Sequence, residues 1–536
     1  MTVKPTVAIG LGLACLVALS ALASAADWPQ WGRTYDRNMI SPEKGLPETF
    51  VPGEKDPKGG GIRMDTTQNV RWAARLGGYA YGNPTVAGGR VFVGTDDQTL
   101  EGDPRLRRVK GGMVKCFDEA TGKLLWQLAV PPRTHLGKEF HFGQQHLGLC
   151  SSPAVDGDRV YVVAQSDEVL CLDVRGQANG NDGPFMDEGQ YMVGPDQPPV
   201  KIEPTDGDII WKYNIIDELK VVPHDIASCA ILVHGDFLYL STSNGVDKSH
   251  EKAVAPDAPV IIALNKHTGK LAAVEKEGIS RRTWHTQWCS PSLGKVGDKT
   301  LVFFGGTDGF CYAFEALTQM PAKPVTLKKV WSYDGNPPEF RLRDGKPIHY
   351  MSGDKRRKDS PNKNDGLYLG PSEILATPVF YKDRVYVSIG QDTRHGAAPG
   401  LLSCIDATGS GDLTDKGRIW EYDKISRTLS TVAIADGLLY VADVTGAIHC
   451  LDADTGKPQW VFQTGSLVCG STLVADGKVY LGTEKGDLWV LAAGRETKLL
   501  GKVHLGSAIY TTPVAANGVL YVATCTHLFA FQEQDR

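Results

Sequence analysis

Residues 432–460, VAIADGLLYVADVTGAIHCLDADTGKPQW, make up a complete structural unit. An apolar run meets a turn at Asp436-Gly437, alternating residues follow, and a second turn falls at Thr445-Gly446. A third run ends in Asp454-Thr455-Gly456-Lys457, and Trp460 closes the unit. Short alternating runs broken by Gly and Asp spell strands, because successive side chains of a strand face opposite ways and Gly supplies the positive φ of a tight reversal. The unit recurs, with copies beginning at Pro84, Pro153, Ala230, Pro291, Pro378, Val432, Gly470 and Thr511, eight in all. A period of about 40 residues with four strands per repeat specifies a propeller blade. The fold class is therefore all-β, an eight-bladed β-propeller of four-stranded antiparallel blades.

A ring must close. The last copy ends at Phe531 without a fourth strand, and residues 69–76, NVRWAARL, precede the first copy as an orphan strand. That segment is expected to complete the last blade, which joins the termini and protects the sheet edges. Three parts follow: residues 1–25, an N-terminal segment over 26–68 expected to pack on the propeller, and the ring over 69–536.

Residues 1–25 carry Lys4, an apolar run to about Leu22 and Ala23-Ser24-Ala25, the pattern of a secretory signal peptide. Cys15 offers a lipoprotein cleavage alternative, but the apolar run continues past it. The expectation is an exported protein, periplasmic or extracellular, with no other run long enough to cross a bilayer. A formal net charge of −5 disfavours nucleic acid as a partner. A monomer is expected. Beyond Cys15, five cysteines (Cys116, Cys171, Cys311, Cys404, Cys450) share one place in third strands. Four more (Cys150, Cys229, Cys289, Cys469) stand near first strands. Blade spacing separates such positions too far for bridges, so small buried residues are expected rather than disulfides. Trp126, Trp211, Trp331, Trp420 and Trp460 each follow a turn at the outermost strand, where an indole can fill the wedge between blades.

Label the strands A to D outward from the axis. The A–B and C–D turns then share one face, and the B–C turns and D-to-A connections share the other. The A–B turns are minimal, as at Asp156-Gly157-Asp158. The long insertions fall mainly on the opposite face, with eight of the 13 histidines: His135, His141, His146, His224, His250, His285, His349 and His395. Loops on a rigid scaffold often carry binding residues. The D-to-A connections run inward, so their last residues should ring the axis: Tyr79, Tyr81, Gln145, His146, His224, Asp225, His285, Trp288, Glu373, Arg427 and Tyr510. These residue types can hold a metal or a polar ligand, or simply pack the insertions. An oxygen-rich stretch (Asn179, Asn181, Asp182, Asp187, Glu188) suggests calcium but lacks EF-hand spacing. Residues 355–358, KRRK, read as a solvated loop tip. HExxH, GxSxG and P-loop patterns are absent.

The endings DEATGKLLW and DADTGKPQW, with their VYxG-type second strands, resemble the PQQ-like β-propeller repeat family over about residues 71–531. The opening WPQWGR and SPEKGLP are similar to those of exported propeller proteins. The family includes assembly factors of the BamB type, which are non-enzymatic scaffolds, and quinoprotein dehydrogenases, which hold PQQ on the axis, usually with calcium. The first resemblance implies an exported scaffold binding a protein or ligand through the insertion-rich face. The alternative is a PQQ- and calcium-dependent dehydrogenase of alcohols or sugars, with Trp288 as an axial stacking residue and Asp225 or Glu373 as an ionic one. The adjacent-cysteine pair common above the quinone is missing, as is a CxxCH haem motif.

Overall fold

The computed structural model describes residues 26–100, 103–133, 146–165, 167–248, 252–283, 285–343, 372–390 and 400–533, with the backbone of 346–347, 351–352 and 355–356. The sequence-predicted segments 1–25 and 357–358, with Gln145, His135, His141, His250, His349 and His395, lie outside the described residues. Eight antiparallel sheets form the ring. In chain order, blade 1 comprises Thr85–Ala87, Arg90–Asp96, Gly112–Asp118 and Leu124–Val130, and blade 7 comprises Leu473–Ala475, Lys478–Gly482, Asp487–Ala492 and Leu499–His504. The intervening blades repeat the A-B-C-D order. Blade 8 takes its outer strand from the N-terminal side: Val70–Arg75 pairs antiparallel with His527–Phe531, closing the ring where the sequence placed the closure.

Blade contacts repeat too. Trp460 lies tilted against Tyr440 of its own blade, and its indole N–H donates to Gly494 O of the next blade at 2.9 Å. Trp126, Trp211, Trp331 and Trp420 do the same to Val174, Lys266, Ala407 and Ala453. Trp72 on the closing strand donates to Glu119 O, a sixth instance. The turn glycine of the neighbouring blade makes room: a Cβ on Gly456 would stand 2.5 Å from Trp420, and its φ of +69° is one that glycine adopts without penalty. The TGK turn is thus shaped by its own reversal and by the indole packed on it.

Two outer edges are covered by the C–D insertions of the next blade. Val325–Thr326 from blade 4 pairs in parallel with Leu271–Val274 of blade 3, and Gly411–Asp412 from blade 5 pairs with Lys329–Asp334 of blade 4. An exposed strand edge invites foreign pairing, and these short strands occupy it.

The N-terminal segment meets the inner strands. Trp28 bridges to Val86 of blade 1, Pro29 O accepts from Val155 N of blade 2, and Tyr35 O accepts from Leu293 N of blade 4. Asp36, Asn38 and Ile40 reach blades 5, 6 and 7 at Phe380, Ile434 and Val474, and Ser41 Oγ donates to Ala515 O of blade 8. Fully buried Arg37 serves blade 3 and blade 4 together. Its guanidinium donates to Pro291 O at 2.9 Å, to Ile231 O at 3.1 Å, to Gln30 Oε1 at 3.2 Å and to Trp31 O. These contacts run along the inner strands and, through Arg37, reach the residues just before those of blades 3 and 4, so residues 28–41 lie across the axis.

Candidate functional site

A cavity of about 440 Å³ lies on the axis beyond this plug. Its wall obeys an offset common to all blades. The residue two positions ahead of each inner strand lines it: Asn83, Ser152, Ala230, Ser290, Thr377, Thr431, Ser471 and Thr512. So does the residue two positions earlier: Tyr81, Cys150, Ser228, Trp288, Leu375, Leu429, Cys469 and Tyr510. The alternation is the two-residue period of extended chain.

The first ring is polar for a structural reason. The Thr431 hydroxyl accepts from Thr377 N, Ser471 from Thr431 N and Thr512 from Ser471 N, at 3.2, 2.9 and 2.8 Å. Ser152 accepts from Asn83 N, Ser290 from Ala230 N, and Asn83 Oδ1 from Thr512 N, so the girdle also spans the closure between blades 8 and 1. The inner-strand starts have no sheet partner on the axis side, and these side chains satisfy their buried N–H groups. Trp31 Nε1 donates to Thr377 Oγ1 at 3.1 Å, docking the plug on the girdle as the cavity floor.

The second ring and the residues above it carry the chemistry. Six of the sequence-predicted residues converge here: Tyr81, His224, Asp225, His285, Trp288 and Tyr510. Tyr81 and Tyr510 stack at 4.8 Å, with Tyr79 next at 6.5 Å from Tyr81. Burial holds both lining phenols well above their ordinary range, and Tyr510 donates to Glu484 Oε1 at 3.2 Å. His285 stands edge-on to Trp288 at 5.4 Å and to His224 at 4.5 Å, and its Nε2 is 3.2 Å from Asp225 Oδ2. Burial pushes the Cys150 thiol up to about 12, with the nearby Asp225 charge adding to the effect. Among the described residues, Cys116, Cys150, Cys171, Cys229, Cys289, Cys311, Cys404, Cys450 and Cys525 form no disulfide.

Tyr79, His146, Glu373 and Arg427 stand outside this lining. Glu373 is instead buried in a bridge to Gly390. The sequence reading missed Cys150, Ser228, Leu375, Leu429, Cys469, Glu484 and Trp31. The offset of two from the first-ring residue would have found the first five.

The oxygen-rich stretch lies apart from the axis. Asp173, Asp182 and Asp208 bring carboxylate oxygens within 4.8 Å of one another. Arg159 and Arg175 pair with Asp173, and Gln177 and the Asp182 N–H serve Asp208, so the cluster is already compensated from within.

A family profile described as outer membrane protein assembly factor BamB matches residues 110–272 and 398–499, in blades 1–3 and 5–7. The chain belongs to the PQQ-like β-propeller repeat family. Outer membrane protein assembly factor BamB of Salmonella typhimurium is 30% identical over 95 residues, 16% of this chain and 24% of that protein. The 1-butanol dehydrogenase (quinone) of Thauera butanivorans is 25% identical over 202 residues, 31% of this chain and 32% of that protein. The chain thus spans about a quarter to a third of these curated relatives. A europium-containing methanol dehydrogenase shares the fold, with a TM-score of 0.55 and 13% identity over 93% of this chain and 89% of that one. No helix among the described residues is long and apolar enough to cross a membrane.

Proposed function

We propose that this chain is an exported, non-catalytic propeller that binds a protein or small polar ligand through the face bearing its long connections, with the axial cavity as the deepest part of that site. The observation carrying this reading is the charge of the wall. Among the described residues, the lining includes Asp225 and Glu484 and no Lys or Arg. PQQ carries three carboxylates, and a buried carboxylate requires a cation or a set of donors to replace its water. Asp225 and Glu484 add negative charge to the wall, which disfavours a tricarboxylate there. Trp288 lines the cavity and stands edge-on to His285.

The scaffold reading also agrees with the built-in rigidity. A plug and a girdle on the axis hold the ring from within, and short added strands cover the outer edges of blades 3 and 4. The test is dye-linked oxidation of an alcohol and sugar panel by the purified chain with PQQ and calcium supplied. No turnover above the protein-free control is expected, and PQQ-dependent dye reduction would overturn the proposal.

A further inference from the structure

We infer that His224, Asp225 and His285 form a binding site for one divalent first-row transition ion of the zinc class, set in the wall of the axial cavity. The inference stands on its own ligand set and not on the scaffold reading.

The ligand atoms come from two consecutive connections, between blades 2 and 3 and between blades 3 and 4. They lie within 4.8 Å of one another. Two ligands of a tetrahedral ion bonded at about 2.0–2.1 Å stand about 3.3 Å apart. His285 Nε2 and Asp225 Oδ2 are 3.2 Å apart, a spacing that needs little change to admit an ion between them. Both imidazoles are 1% exposed, while all three residues line the cavity. Three protein ligands on a cavity wall leave a coordination position open to the chamber.

The support around the histidines is specific. His224 Nδ1 lies 2.8 Å from Val246 O, so that nitrogen carries the hydrogen and Nε2 keeps its lone pair. A ring N–H given to a backbone carbonyl is how metal-binding histidines are oriented. The same Val246 donates its N–H to His285 O at 3.0 Å, so one residue fixes both ligands. Gly245 allows the approach: a Cβ there would stand 2.2 Å from His285 O and 2.8 Å from the His224 Cβ. Two imidazoles with one carboxylate select zinc, copper, nickel or iron over calcium and magnesium, which take oxygen ligands.

The test uses the full chain, stripped with chelator and titrated with Zn²⁺ by calorimetry and with Co²⁺ by visible absorption. One saturable equivalent is expected, with the intense d–d bands of a low-symmetry cobalt site, undisturbed by excess Ca²⁺. His285→Gln and Asp225→Asn should each weaken Zn²⁺ binding by more than the ~10–100-fold that loss of an outer partner costs. Asp225→Asn changes one atom at the most exposed of the three positions, so it reports even if His285→Gln fails to fold. The inference is overturned if the parent chain binds neither ion saturably, if Ca²⁺ competes equally, or if binding survives unchanged in a folded variant.

Discussion

Arg37→Met separates the polar contribution of the plug from its bulk, because methionine keeps an apolar stem while removing the guanidinium. The substitution strips donors from Pro291 O, Ile231 O, Trp31 O and Gln30 Oε1 at a fully buried position. Hydrogen bonds from a charged donor contribute roughly 1.5–3 kcal/mol each, so the gross loss is about 6–12 kcal/mol. Burial opposes this: it pulls the guanidinium well down from its ordinary range, to about 10. At 1.36 kcal/mol per factor of ten, that relieves on the order of 3 kcal/mol once the charge is gone. The net destabilisation is about 3–6 kcal/mol, discounting the upper end for partial rehydration of the carbonyls. Unfolding entropy of about 2.1 cal/mol/K per residue over roughly 500 residues converts this to a drop in Tm of about 3–6 °C. Differential scanning calorimetry reads the shift. Hydrogen exchange at the N–H groups of Leu293, Phe380 and Val474, which donate to the plug, reads its detachment. A variant melting within about 1 °C of the parent, with those amides equally protected, would refute the view that Arg37 pins the segment to the ring.

Trp460→Ala should cost about 3–5 kcal/mol, through the cavity between blades 6 and 7 and the lost bond to Gly494 O; denaturant melts check this, and an unchanged midpoint would contradict the wedge role. Burial pushes the carboxyls of Asp208 and Asp334 up to about 6 and about 7, with Glu188 and Asp173 adding at Asp208 and Asp308 at Asp334. Between the ordinary value of 3.8 and those values the folded chain holds more protons than the unfolded one, so these groups make stability fall as pH rises through that window. Asp208→Asn and Asp334→Asn together should flatten that slope in melts recorded from pH 4 to 8, and identical slopes in parent and variant would contradict the assignment.

The ring was legible because its information is local. Asp436-Gly437 and Thr455-Gly456 fix reversals within a few residues, and the alternating run 70–75 advertises a strand with no partner nearby in sequence. The plug was not legible in detail, because Trp28 to Ser41 bind mainly through backbone and buried polar contacts to all eight blades, far away in the chain. No period marks such a path. The site was legible in part. His224, Asp225, His285 and Trp288 were identifiable as inward ends of connections, but their convergence depends on Val246 and Gly245 in a third loop. Glu373 looked equivalent in sequence but is held in a bridge to Gly390, a pairing that local sequence does not mark. The girdle hydroxyls were overlooked because Ser and Thr before a strand read as ordinary turn residues until their partners in the next blade are seen.

Calorimetric titration of the purified chain with PQQ, with and without calcium, tests the central claim most directly. A cavity walled by Asp225, Glu484 and stacked tyrosines, with no Lys or Arg among its described lining residues, predicts no saturable heat in either titration while the protein remains folded. Saturable, calcium-dependent binding of one equivalent would contradict the binding-scaffold account and place the chain among quinone-dependent dehydrogenases.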